Sequence, residues 1–382
     1  MTLDLKELAR RAGPIERIIE DVSPDLPEMV AGRVLHLDGD SAIYNCSGRD
    51  DTPLTVCKKR FRGFVADKMA QAGAEYANVC FTGGNHSKGG RYAIAKTKGY
   101  QEKRKGSTVP VNLAALREYA LCEWQGGHKL IESQHDILMV VYGKDKIQVF
   151  DTHEEADDTL TQLHNCFTSQ GHSEVDFCEL SIVCAEDKDL FMNDGLFLDW
   201  NTGEIREAYK YGYIKPSETP GGTKKIIGHG KAFFFAQLLM GDTADNIPGL
   251  PYFTGTISAL EFPDAKCREQ ARRLEEGTMP SGKPLTDKQK ELAKETLSEL
   301  VSRGREVPCG PVSVYTYLKS CTTEKEAFLK VLKAYVAFYG KDEEVDGEVW
   351  QPIHFLLEQG RLLWMRRTYG EDVKDYFKEI ME

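Results

Sequence analysis

The chain has little that could staple or anchor it. Its ten cysteines are scattered over 382 residues, with no C-x-x-C pair anywhere. That spacing rules against a zinc ribbon and a disulfide scaffold, so reduced thiols in a cytosol are expected. No apolar run approaches the ~18 to 20 residues that span a bilayer. The opening stretch, MTLDLKELARRAGPIERIIEDVSPD, is amphipathic but lacks an apolar signal core. A soluble, cytoplasmic protein is expected, with no membrane partner. Net positive charge is also missing: 49 Lys and Arg face 60 Asp and Glu, a formal balance of −11. This excludes a surface that coats nucleic acid throughout, but not one local basic groove. There is no histidine cluster, internal repeat or low-complexity segment. The GGTK run at Gly221–Lys224 lacks the G-x-x-x-x-GK spacing and a preceding strand, so NTP hydrolysis is not expected.

What is present is enough for sizeable cores. Hydrophobic residues make up 41% and charged residues 29%, and the length allows about two or three domains at roughly 150 residues each. Four short apolar runs, Arg33–Asp38, Ala77–Thr82, Ile137–Tyr142 and Leu180–Ala185, read as buried strands of a mainly parallel sheet. Helical patterns at Lys58–Ala72, Asn112–Trp124 and Ala156–Ser169 separate them, which predicts an α/β fold with crossover helices. After about Gly241 the strand signal fades. Residues 264–306 are charged and helical in pattern. Two more helices are expected at Val312–Ser320 and Thr323–Tyr339, then an acidic stretch (Lys341–Glu348) and a last helix around Phe355–Arg367.

Carboxylates mark the chemistry. Asp38 and Asp40 follow the first strand, and Asp187 and Asp189 follow LSIVCAE. Glu155, Asp157 and Asp158 open a helix in HEEADDTL, and Asp242 and Asp245 end the apolar helix Lys231–Met240 in MGDTADNIPG. Taken singly, the last three clusters have plain readings, as a solvated turn, acids favoured at a helix N-terminus and a helix stop, whereas Asp38 after a buried strand is harder to dismiss, because an acid there points into the ligand crevice. In an open α/β sheet, however, ligands bind beyond the carboxyl ends of the strands. Seven or eight carboxylates in one crevice repel one another, and hard divalent cations relieve that repulsion. Two ions about 4 Å apart clamp the attacking and leaving oxygens of a phosphodiester. A phosphate-bearing substrate and a water nucleophile follow. Between the first two clusters, Lys88–Lys105 holds seven Lys and Arg against one acid, with Tyr92 and Tyr100 interleaved. Alone it reads as a solvated basic face. Over an acidic metal site it reads as an arm that grips phosphates, with tyrosines to stack on unpaired bases.

The motifs LHLDGDSAIY, EADDTL, CAEDKDLF and GDTADNIPGLP occur in the order and spacing of the flap endonuclease superfamily. The chain resembles the bacteriophage 5′–3′ exonucleases and the 5′-nuclease domains of bacterial DNA polymerases over roughly residues 33–250 and 309–367. The resemblance implies a PIN-like α/β core, a helical arch and a helix–hairpin–helix DNA-binding region. It implies cleavage of DNA near 5′ ends or flaps with two Mg²⁺ ions, for which Mn²⁺ substitutes, in phage replication or recombination in a host bacterial cytoplasm. Carried over by motif, Asp38, Glu155 and Asp157, with Asp158 close by, form one metal site, and Asp187, Asp189, Asp242 and Asp245 form the other. Arg91 matches the arginine of the family's F-R element. Tyr100 and Arg104 match the ends of its Y-K-G-N-R element, and Lys96 and Lys98 join them as DNA contacts.

Three positions depart from that pattern. Gly83 stands where the family often has aspartate, so Asn85 or water is expected at the first metal. Gln101 replaces the family's active-site lysine, with Lys103 as the expected substitute. The family's hairpin is opened by Gly249 and resumed only near Gly310, where its backbone amides are expected to hold a duplex phosphate and its carbonyls K⁺. The resulting division is an N-terminal extension (1–32), a nuclease core (33–250) with the arch in 86–125, an insertion in the hairpin (251–308), the remaining helix–hairpin–helix region (309–345) and a C-terminal helix on the core (346–382). Expected partners are DNA with a 5′ end or flap, RNA–DNA hybrid and replisome proteins, for a chain taken as a monomer. Two rivals stand beside this reading. One is a DNA-structure-binding protein with weakened catalysis, favoured by Gly83 and Gln101. The other is a HAD-type phosphatase with Asp38 as nucleophile, which leaves EADD and DKD without a role.

Overall fold

A computed structural model describes residues 26–382, except 85–86, 103–107, 125–126, 132–135, 153, 170–176, 209–210, 263–264, 280 and 304–305. Most of the expected N-terminal extension, together with Asn85, Lys103 and Arg104, lies outside the described residues. The fold is mixed α/β around a mainly parallel sheet. Strands β1 (Val30–Asp38) and β2 (Ala74–Thr82) pair in parallel at its centre. A separate antiparallel ribbon, β3 (Gly127–Ile131) with β4 (Asp136–Val141), precedes β5 (Ile147–Thr152). Next come β6 (Ser181–Cys184), β7 (Gly195–Leu198) and β8 (Ile205–Ala208). The sheet order is β5-β2-β1-β6-β7-β8, parallel except for β8 at the edge.

Three of the four expected strands are therefore in the sheet. The fourth, Ile137–Tyr142, is a strand that pairs outside it, and the sheet position belongs to Ile147–Thr152. An apolar run signals a strand but not its partner, and in IQVFDT the run is broken by Gln148, which is nonetheless buried.

Side chains alternate across the sheet. Leu35, Leu37, Val79 and Phe81 face the helices Leu54–Ala72 and Leu113–Glu123, where Phe61 packs on Trp124. The opposite face carries Cys80, Phe150 and Val183 under the helix Ala156–Ser169. Each such buried side chain contributes about 1.5–3 kcal/mol. The same face holds a buried polar chain: Asn78 reaches His36, His36 and His164 both meet Ser181, and His164 continues to the Asp194 carbonyl.

The second core surrounds the helix Gly230–Met240, buried from Gly230 to Leu239. A helix apolar all round needs neighbours on every side, and it has them in Pro311–Leu318, Glu324–Tyr339 and Pro352–Leu363. The hairpin Tyr213–Glu218/Lys224–His229 also packs on it. Residues 251–308 begin and end at one seam, where Tyr252–Phe253 pairs antiparallel with Val307–Pro308, and the Cys309 amide donates to the Pro251 carbonyl at 3.0 Å. Between them run the helices Gly255–Glu261, Ala265–Glu276 and Asp287–Arg303. The acidic stretch is folded too: Glu343–Val345 and Glu348–Trp350 form a hairpin turned by Asp346-Gly347, both at positive φ. Among the described residues, no helix is long and apolar enough to cross a membrane.

Candidate functional site

The sheet order reverses between β1 and β6, which opens a crevice beyond their carboxyl ends. Asp38 closes β1 there. Its Oδ1 accepts from the amides of Asp40 (3.0 Å) and Ser41 (3.2 Å) and so caps the helix Gly39–Cys46. Burial pushes its carboxyl up to about 6, with Asp40 adding and the Ser41 bonds opposing. From the other side of the reversal, β6 delivers Asp187, whose Oδ1 accepts from the Asp189 amide at 2.9 Å. Poor solvation, then the charge of Asp189, pushes Asp187 up to about 7.

The helix Ala156–Ser169 begins over the same crevice. Asp157 is held well above the usual carboxylate range by poor solvation and by the charges of Asp38, Asp187 and Glu155. Its neighbour Asp158 is fully buried and takes a bidentate grip from Arg91, at 2.7 and 3.0 Å, plus the Arg366 amide at 3.1 Å. Burial raises Asp158, but the Arg91 guanidinium outweighs it and holds the carboxyl low. Glu155 accepts from Arg91 at 3.1 Å and from Lys88 Nζ at 2.6 Å.

The fourth acidic segment leaves the helix Gly230–Met240. Asp242 Oδ2 accepts from Lys188 Nζ at 3.0 Å, and the same ammonium donates to Asp189 Oδ1 at 2.9 Å. Asp189 Oδ1 also accepts from Gln237 at 2.7 Å. Burial would raise Asp242, yet Lys188 holds it low, whereas Asp189 stays raised by burial. Asp245 accepts from Gln101 Nε2 at 2.9 Å and from the Tyr100 hydroxyl at 3.3 Å.

The residues expected to contact DNA divide into two kinds. Lys96 and Lys98 are exposed, with Lys96 Nζ 3.6 Å from Asp346. Arg91 is 1% exposed, and the Lys88, Leu362 and Trp364 carbonyls take its remaining bonds, so it braces the site from inside rather than facing solvent. Tyr100 is buried too, edge-on to the exposed Tyr92. Gly249 is buried with its amide donated to Gln359 Oε1 at 3.1 Å, which removes that amide from phosphate binding. Gly310 opens the helix Pro311–Leu318, with nothing within 4 Å of where a Cβ would stand.

Two departures acquire physical reasons. A Cβ at Gly83 would collide with the Thr152 carbonyl oxygen, so the backbone leaves no room for a carboxylate there. The nearby acid is Asp151, paired with Arg117 at 2.6 Å. Gln101 is buried at positive φ and ties the basic segment to Asp245 through both side chain and amide. Sequence reasoning missed Lys188, although it stands inside the D-K-D motif. It also missed Glu358, which accepts from the Lys96 and Thr97 amides and the Thr97 hydroxyl. Among the described residues, no three His, Cys, Asp or Glu side chains are arranged to hold a metal ion. Ammonium and guanidinium groups stand among the carboxylates instead.

No protein-family model and no curated protein matches the chain. A solved structure of the T5 D15 protein co-crystallized with metal ions is similar at a TM-score of 0.33 and 11% identity, covering 80% of this chain and 93% of that one. The functional reading rests on the residues themselves.

Proposed function

We propose that the chain is a divalent-metal-dependent nuclease with a PIN-like core, a 5′–3′ exonuclease or flap endonuclease that hydrolyses DNA near 5′ ends. The observation that carries this reading is the convergence of acids from separate elements: Asp38 ends β1, Asp187 follows β6, and both charges bear on Asp157 in the first turn of the helix Ala156–Ser169. Such mutual repulsion costs stability and is kept where charge is needed.

The donor set suits Mg²⁺ or Mn²⁺ in its chemistry, being all carboxylate with Asp38, Asp157, Asp187 and Asp189 raised by burial, and metal binding would have to draw these side chains together, since no three of them are so arranged among the described residues. Asp38, Glu155 and Asp157 would hold one ion, and Asp187, Asp189, Asp242 and Asp245 the other. Bound there, the ions supply the Lewis acidity for attack of water on a phosphodiester. The chain's own residues do the rest. Arg91 and Asp158, locked to each other, fix the start of the helix that carries Asp157 and follows Glu155. Tyr100 and Gln101 orient Asp245. Glu358 anchors the backbone that presents Lys96 and Lys98 to the phosphates of a 5′ end.

The test is the double substitution of Asp187 and Asp189 to asparagine. Cleavage should vanish while DNA binding persists. Retained cleavage would sink the site assignment. A second reading, a DNA-structure-binding protein with weakened catalysis, is favoured by Gly83, where no carboxylate fits. Intact flap binding with no cleavage at any Mg²⁺ or Mn²⁺ concentration would select it.

A further inference from the structure

Lys188 stands between two carboxylates that the reading above assigns to one metal ion. Its Nζ lies 2.9 Å from Asp189 Oδ1 and 3.0 Å from Asp242 Oδ2. The side chains of Asp189 and Asp242 are only 5% and 11% exposed, whereas that of Lys188 is 55% exposed. This is unlike a surface ion pair, where both partners lose little by parting. Here two poorly solvated acids share one ammonium as their common counter-charge, while neutral donors, Gln237 on Asp189 and the Ala244 amide on Asp242, carry no charge to offset theirs. A hard cation bound through the same oxygens would compete with that ammonium, since two positive charges held at contact distance repel each other.

We propose that Lys188 is a resident counter-ion which a divalent cation must displace. The inference rests on the metal-site reading above and deepens it. It gives one lysine two consequences of opposite sign. Lys188 stabilises the protein without metal, and it weakens the affinity of the site for metal. The other carboxylate group has a different arrangement: Lys88 meets only Glu155 there, and Arg91 already holds that acid from inside.

The experiment is calorimetric titration of the full chain with Mn²⁺, for wild type, Lys188→Met and Lys188→Arg. Lys188→Met should bind Mn²⁺ about tenfold more tightly, the scale of one nearby charge in a partly screened site. It should also unfold at lower temperature in EDTA. Lys188→Arg, which keeps the charge, should bind within about threefold of wild type. A second measurement uses wild type alone: reductive methylation of lysines, quantified by mass spectrometry with and without Mn²⁺. Labelling of Lys188 should rise with the metal, while that of exposed Lys98 stays constant. If wild type binds Mn²⁺ but Lys188→Met binds no tighter, or Lys188 labelling does not rise, the counter-ion role is overturned and the metal site stands. If wild type binds no Mn²⁺, the metal-site reading falls and takes this inference with it. Should Lys188→Met not fold, the labelling of wild type decides.

Discussion

Arg91 and Asp158 meet fork to fork, at 2.7 and 3.0 Å, with the arginine 1% and the aspartate 0% exposed. They lie 67 residues apart in the sequence. Arg91→Ala leaves Asp158 buried without its cation, and breaking a buried pair from one side costs about 3–5 kcal/mol. Urea unfolding should show that loss, and Arg91→Lys, which cannot fork, should recover only part of it. A loss below about 1 kcal/mol, the range of exposed pairs, would contradict the internal role.

Asp187 has its carboxyl pushed up to about 7. A raised acid binds its proton more tightly folded than unfolded, so its contribution to stability falls as pH rises from about 4 to about 7. Asp187→Asn removes that contribution. Relative to wild type in EDTA, the variant should therefore gain stability between pH 5 and pH 8, by on the order of 2 kcal/mol. A difference that is flat with pH would refute the charge crowding.

Ser181 joins His36 and His164 inside the core, at 3.0 and 2.7 Å. Burial lowers both imidazoles, His164 to about 4. A lowered histidine contributes stability above its unfolded value near 6.5 and loses it as pH falls toward the folded value. Ser181→Ala strips a partner from both rings and should cost about 1–3 kcal/mol at pH 7, measured by chemical unfolding. No loss would mean the histidines are satisfied elsewhere.

Gly83 offers no space for a Cβ against the Thr152 carbonyl. Introducing a carboxylate with Gly83→Asp should destabilise the protein by about 1–3 kcal/mol, the cost of overpacking. It should not tighten Mn²⁺ binding. Tighter binding in calorimetry would show that the backbone yields.

Lys96 and Lys98 are exposed cations of the segment anchored by Glu358. If they grip phosphates of single-stranded DNA, each alanine substitution should reduce the salt slope of binding by about 0.7. An unchanged slope would remove them from the DNA path.

How much of this was legible depended on whether the signal was local. The helix at Ala156–Ser169 and the acids at its start followed from one stretch of sequence, and so did Asp38 at the end of its strand. The sheet edge was less legible, because β4 and β5 are both apolar runs and only pairing separates them. The hairpin at Asp346-Gly347 carried a D-G turn signal that its acidic surroundings obscured. Arg91 reads as one more cation in a basic run. Its burial depends on carbonyls of Leu362 and Trp364, 271 and 273 residues away, which no local pattern encodes.

The most direct measurement uses a 5′-labelled flap, a nicked duplex, a blunt duplex and a closed circle, each with Mg²⁺, Mn²⁺ or EDTA. A metal-dependent 5′ nuclease cuts the substrates that have ends and leaves the circle intact, with no cutting in EDTA. Cutting of the circle, or a flap that is bound but never cut with either metal, contradicts it.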